Sequence, residues 1–405
     1  MNRGTPESAS AIQVIRIGIV GLGAAGRAFI PAILAHAGFK LVAVAEPVAE
    51  VRVSITGEHG ISGYSTLEAM LEHPGLDAVY IATPTELHPE HVALAVAARK
   101  HVLVEKPMAA QMDQARAMVA AAEEAAVVLV VGHSHSYDLP IQRMREIVAG
   151  GTLGRVRMVN TWCFTDWMYR PRRAEELDVN KGGGVTYRQG SHQFDIIRLL
   201  CGGMVRSVRA RTFDWDRGRR AIGAHVAYLD FEDGAAATAV YNGYGNFSSM
   251  DLCFDVSEWG FLQAPESRTQ ARRPFADVSP DAELRAKQNR ARSAIPASAP
   301  YQPFFGLTLV SCERGDLRQS PRGLHVYSAE GQIEIELPTD RSPRDLVMAE
   351  FYDAITGKAP ALHNGRWGLA NLEVCTAAIT SSESGRDVFL YDQVPVTVQA
   401  PDAHR

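Results

Sequence analysis

Lys106 stands in Val104-Glu105-Lys106-Pro107, directly after the apolar run His101-Val102-Leu103-Val104. That run reads as a buried strand, so the lysine falls at the carboxyl edge of a sheet. An amine held in such a place has its charged form disfavoured and can take a proton or polarise a substrate oxygen. The plain alternative is a surface lysine in a turn. Pro107 permits a cis bond after Lys106.

Histidines supply the second set of candidates. Gly190-Ser191-His192-Gln193-Phe194-Asp195 opens a helix whose Phe194, Ile196, Ile197, Leu199 and Leu200 form an apolar face. His192 would point from its first turn toward a cleft, and Asp195, three residues on, can hold its ring. Gly182-Gly183-Gly184 precedes it. His133 and His135 follow the apolar residues 127–131, and spacing of two on an extended segment puts both on one face. A metal held by His133, His135 and His192 is conceivable, but no helical H-x-x-x-H pair or nearby acid completes it, so none is expected. Tyr169-Arg170-Pro171-Arg172-Arg173 gathers guanidinium forks of the kind that suit carboxylates, which points to an anionic substrate. A solvated charged face is the alternative there.

These residues need a scaffold, and the chain supplies one early. Val14-Ile15-Arg16-Ile17-Gly18-Ile19-Val20 suits a buried strand, Gly21-Leu22-Gly23-Ala24-Ala25-Gly26 follows at once, and residues 27–37 read as a helix. A second strand, 41–45, ends at Glu46. Strand, G-x-G-x-x-G, helix, strand and acid together mark a dinucleotide site: Gly21 for the turn, Gly23 for approach of a pyrophosphate, Gly26 for close packing of the helix. The helix start offers N–H groups to that pyrophosphate. Glu46 can accept from both ribose hydroxyls and would repel a 2′-phosphate, which argues for NAD over NADP. Pro31 falls inside the expected helix, where it removes one hydrogen bond and would kink the axis.

Alternation continues with a helix at 66–72, a strand at 77–82, and helices and strands at 90–99, 101–104, 114–125 and 127–131. That pattern predicts a doubly wound parallel Rossmann sheet, with ligands beyond the carboxyl ends of its strands. The rule gathers 21–26, Glu46, 83–88, 105–107 and 132–137 at one crevice. Beyond it, helices at 140–149 and 190–200, strands at 156–164, 224–231 and 235–242, and the turn Glu232-Asp233-Gly234 predict an α+β domain with a large, mostly antiparallel sheet. We therefore expect a loose tail at 1–13, an NAD-binding domain at 14–136 and a substrate and oligomerisation domain at 137–405. The latter carries a polar insertion at 263–303, with an exposed helix at 281–293. Helices at 345–356 and 367–382 would pack back on the first domain.

Composition excludes several classes. A net charge of −5 gives no reason to expect nucleic acid or an anionic membrane. The apolar run at 125–131 is too short to span a bilayer, and the polar start lacks the regions of a signal peptide. Five scattered cysteines without a C-x-x-C fit reduced thiols in a cytoplasm.

The chain resembles the Gfo/Idh/MocA oxidoreductases, the family of glucose–fructose oxidoreductase and inositol dehydrogenase. The resemblance rests on Gly21–Gly26, Ala82-Thr83-Pro84 with His88, Lys100-His101-Val102 leading to Glu105-Lys106-Pro107, and His192 with Asp195. It implies catalysis by Lys106 and His192, cofactor contacts from Thr83, Pro84, His88 and Glu105, and a homodimer or homotetramer formed through the second sheet. Many members carry an Asp four residues before this histidine, where this chain has Arg188. Arg188 changes the sign of the site in the direction that suits an anion.

A narrower resemblance is to 4,5-dihydroxyphthalate dehydrogenases. It is carried by Gly132–Tyr137, Phe164-Thr165-Asp166, Tyr169–Arg173, Cys312-Glu313-Arg314-Gly315-Asp316-Leu317-Arg318 and the insertion. It implies oxidation of a phthalate cis-dihydrodiol to the catechol, with His133, His135, Tyr169, Arg170, Arg172, Arg173, Arg188 and His192 around the substrate. The reading is thus an NAD-dependent oxidoreductase acting on CH–OH or CH–CH donors. Its rivals are an inositol, sugar or sugar-acid dehydrogenase, and a non-catalytic NAD-binding regulator.

Overall fold

The computed structural model describes residues 12–265, 278–292 and 299–396; the tail at 1–11 and much of the 263–303 insertion lie outside them. The early β-branched runs form one parallel sheet. Its strands are β1 (Ile15–Val20), β2 (Phe39–Ala45), β3 (Ser62–Tyr64), β4 (Ala78–Ile81), β5 (His101–Glu105) and β6 (Leu129–Gly132). Their order is β3-β2-β1-β4-β5-β6. The chain reverses its winding at β1, so a crevice opens where the ends of β1 and β4 diverge.

The helix after β1 spans Ala24–Ala35 and continues through Pro31. Ala49–His59 is a helix that the sequence pattern does not announce, because Val51, Val53, Ile55 and Thr56 carry strand propensity and Gly57 lies within it. Burial of Ile55 against the β2 side decides for helix.

The second sheet has nine strands. They are β7 (Val156–Phe164), β8 (Val205–Phe213), β9 (Ala224–Phe231), β10 (Ala236–Asn242), β11 (Leu307–Cys312), β12 (Gly315–Ser320), β13 (Gly323–Ser328), β14 (Gly331–Glu336) and β15 (Val388–Phe389). The order is β14-β13-β12-β11-β7-β10-β9-β8-β15, antiparallel except for the β7–β10 pair. One face carries the helices Ser191–Leu200 and Gly365–Ser384. The other exposes Met158 and Trp162 of β7 and Val226 and Tyr228 of β9.

Two C-terminal helices lie against the parallel sheet. Val347, Met348 and Phe351 of Pro343–Ile355 share a core with Ile33 and Phe39. Gly365–Ser384 lies so close to β6 that a Cβ on Gly368 would meet Val131 at 2.3 Å. The backbone N–H of Val131 donates to His363 O at 2.9 Å, which ties the segment before that helix to β6. Among the described residues no helix is long and apolar enough to cross a membrane.

Candidate active site

Backbone geometry makes the glycine turn a cradle. Gly21 has φ +87°, and a Cβ there would meet Ala82 O at 2.9 Å. A Cβ on Gly26 would meet Gly21 O at 2.0 Å. Nothing lies within 4 Å of a Cβ added to Gly23, so the space above it is open to a ligand. Gly23 caps the helix without a side-chain bond, which leaves N–H groups of Ala24, Ala25 and the first turn pointing into that space. Glu46, at the end of β2, accepts from Leu22 N at 2.8 Å and from Val48 N at 3.1 Å. One carboxylate thereby fixes the loop and keeps lone pairs free for hydroxyl donors. These features fit a dinucleotide.

Thr83 and Pro84 follow β4 beside this turn, as the crevice rule requires. His88 is buried with both ring nitrogens occupied, one on Thr83 O at 2.9 Å and one on Pro107 O at 3.0 Å. It stands between two crevice loops, and the neutral ring can donate to one of the two carbonyls. Burial lowers its pKa to about 4.

Lys106 directly follows β5, beside Glu105, whose Oε1 accepts from Tyr80 OH at 2.6 Å. The Lys106–Pro107 bond is cis. Arg188 lies in a wide turn, Thr186–Gly190, that leads into the helix of His192. Its carbonyl accepts from Lys106 Nζ at 2.7 Å. Its guanidinium donates to Thr85 Oγ1 at 2.8 Å and to Glu176 Oε1 at 3.1 Å. Burial, then the Arg188 charge, lowers the Lys106 pKa to about 8.

The His192 ring is buried and its Nδ1 has no hydrogen-bond partner. Burial and then the charge of Lys106 hold its pKa well below the ordinary value. His135 stands 4.7 Å from the His192 ring and His133 stands 6.4 Å from it, centroid to centroid. Phe305 stacks on His135 at 4.4 Å, and Trp259 lies 6.0 Å from it. Among the described residues no group of His, Cys, Asp or Glu is arranged to hold a metal ion.

Three expectations need correction. Asp195 does not hold the His192 ring: its Oδ1 accepts from Trp367 Nε1 at 2.6 Å, and its Oδ2 pairs with His363 at 3.7 Å. That carboxylate faces residues far along the chain. The arginine loop is also differently used. Arg170 pairs with Asp166 at 2.7 Å and Glu258 at 3.4 Å, and Arg173 pairs with Glu86 at 3.5 Å. Arg172 stacks over Trp167 at 4.1 Å, and its backbone N–H donates to Glu283 at 2.6 Å. Tyr169 stays half-buried at the head of this loop.

The third correction concerns the insertion helix Pro280–Arg292, which is not simply exposed. Its Glu283 pairs with Arg219 and its Lys287 with Glu176, while the helix also lies near Ala24–Ala35. It therefore lies beside the Glu176–Arg188 pair.

The sequence reading missed the wall opposite. A cavity of about 580 Å³, counted with solvent at its mouth, is lined by His135, Asp138, Glu258, Trp259, Tyr301 and Arg344, among others. Local sequence offers little to find Arg344, beyond its place behind the helix cap Ser342.

Comparison with known proteins gives a consistent picture. Residues 15–133 match the model described as "Oxidoreductase family, NAD-binding Rossmann fold", and residues 141–256 match the GFO/IDH/MocA C-terminal domain. A 1-carboxy-3-chloro-3,4-dihydroxycyclohexa-1,5-diene dehydrogenase from Comamonas testosteroni is 38% identical over 90% of this chain and 94% of its own. The inositol 2-dehydrogenase of Rhizobium meliloti is 28% identical over 49% of this chain and 58% of its own. A crystal structure of a protein assigned as a dehydrogenase from Bordetella bronchiseptica RB50 superimposes with a TM-score of 0.88. It is 42% identical and covers 93% of this chain and 100% of the other.

Proposed function

The chain belongs to the Gfo/Idh/MocA family of NAD-binding oxidoreductases, and within it we propose that it is a dehydrogenase of a carboxylated cyclic cis-diol, yielding a catechol. A phthalate cis-4,5-dihydrodiol is one member of that substrate class. The observation that carries the reading is the bond from Lys106 Nζ to the Arg188 carbonyl at 2.7 Å, four residues before His192, which brings a lysine and a histidine of lowered basicity from different sheets' elements to one region.

The glycine turn, the first turn of Ala24–Ala35 and Glu46 would hold NAD, which when bound supplies the acceptor for the carbinol hydrogen and its electron pair. Lys106, with a pKa of about 8, is the base that takes the hydroxyl proton, since a catalytic pKa near the working pH is the efficient one. Neutral His192 orients that hydroxyl through a ring nitrogen. Arg188 O receives Nζ and keeps it aimed. The rings of Trp259 and Phe305 beside His135 limit water at the reacting carbon. Loss of hydrogen from a cyclic diene diol gives a ketone that tautomerises to an aromatic catechol, which draws the reaction forward.

The alternative sugar or inositol substrate is disfavoured by Arg188, which stands where many family members carry an acid. We also propose a homo-oligomer through the open sheet face, where Val226, Val240, Trp162 and Leu307 form one cross-strand row. The test is NADH formation from a carboxylated cis-dihydrodiol, inositol and glucose in parallel. Turnover confined to the diol supports the reading, and turnover confined to the polyols overturns it.

A further inference from the structure

We propose that Arg344 forms the subsite for the substrate's carboxylate, on the His135 wall of the cleft and not in the arginine loop. The proposal rests on the function given above and locates its specificity.

Arg344 is the second residue of the helix Pro343–Ile355. A capping box fixes that start: Ser342 N donates to Asp345 Oδ2 at 2.7 Å and Asp345 N to Ser342 Oγ at 3.3 Å. Asp345 is thus engaged by backbone. The Arg344 guanidinium lies over the Trp259 ring at 5.4 Å and the Phe29 ring at 5.8 Å. Its Nε is buried without a hydrogen-bond partner. A buried donor of this kind is costly unless a ligand meets it. Glu105, Asp138, Asp345 and the Tyr80 hydroxyl face it electrostatically, and burial still lowers its pKa.

Its surroundings suit the remainder of such a substrate. Arg344 and His135 line one cavity, and the His135 ring lies 4.7 Å from the His192 ring. Trp259, which lines that cavity, offers a flat apolar face that matches an unsaturated six-membered ring, and Phe305 stacks on His135 and holds it in place. A guanidinium at one end and the Lys106–His192 pair at the other would fix such a ring in one orientation. Arg170 and Arg173, by contrast, are already paired with protein carboxylates.

The experiment compares 1-carboxy-3,4-dihydroxycyclohexa-1,5-diene with the uncarboxylated cis-1,2-dihydroxycyclohexa-3,5-diene on wild type, Arg344→Gln and Arg344→Lys. Arg344→Gln is expected to lower kcat/KM for the carboxylated diol about 30–100-fold more than for the other, chiefly through KM. Arg344→Lys should recover part of the loss, and the NAD dissociation constant should stay within about twofold. Equal losses on both diols, or a matching loss of NAD affinity, overturn the proposal. If wild type oxidises neither diol, the assigned function fails by itself. The subsite is then tested by titrating NAD-loaded protein with 3,4-dihydroxybenzoate and catechol, where equal binding of the benzoate by wild type and Arg344→Gln overturns it.

Discussion

Two groups of buried charge share the helix Ser191–Leu200, and they are built in opposite ways. Around Asp195 the charges are matched: His363 lies between Glu350 at 3.3 Å and Asp195 at 3.7 Å, its Nε2 meets Ser136 Oγ at 2.9 Å, and Trp367 donates to Asp195 at 2.6 Å. Those carboxylates raise the His363 pKa to about 9 against its burial. Around His192, one turn earlier, burial outweighs the nearby carboxylates. Lys106, His192 and Arg344 all lose basicity through burial, and two of them keep a buried nitrogen without a partner. Matched burial holds four chain segments together, whereas unmatched burial leaves groups whose partners must arrive as ligands.

The largest effect should come from the unmatched group. Lys106→Met is expected to lower kcat about 10²–10⁴-fold with little change in NAD affinity, read by steady-state kinetics and a binding titration. Near-normal turnover would reduce Lys106 to a brace. In the matched group the loss should instead be stability. Asp195→Asn removes one of two counter-charges from a fully buried imidazolium and should cost about 3 kcal/mol in urea unfolding.

Next comes a pH effect of the matched group alone. Because the folded pKa of His363 is raised to about 9, its stabilisation is complete below the unfolded value near 6.5 and is lost as pH rises through 9. Unfolding free energy should therefore fall across that window, by up to about 3 kcal/mol, and His363→Gln should flatten the fall. The smallest effect is expected at His192, whose ring orients without carrying charge. His192→Gln should lower kcat roughly 10–30-fold, and a loss as large as that of Lys106→Met would make the imidazole the base.

What the sequence revealed follows the range of each interaction. Gly21, Gly26 and the edge of β5 are local matters of backbone space, and residue type alone announces them. The start of the His192 helix was legible for the same reason. Asp195 was misread because its partners, His363 and Trp367, come from near the chain's other end. Arg170 looked available to a ligand because Glu258 lies 88 residues away. Arg344 was invisible because only folding brings it beside Trp259 and His135.

The central claim is that Lys106, lowered in basicity by burial and by Arg188, removes the proton from a cyclic diol. Its most direct test is the single-turnover rate of NADH formation from 1-carboxy-3,4-dihydroxycyclohexa-1,5-diene between pH 6 and 10. We predict a rate that rises with pH to a plateau with a midpoint near 8, and a Lys106→Met variant whose residual rate lacks that limb. A wild-type rate without the limb, or a variant that keeps it unchanged, would contradict the account.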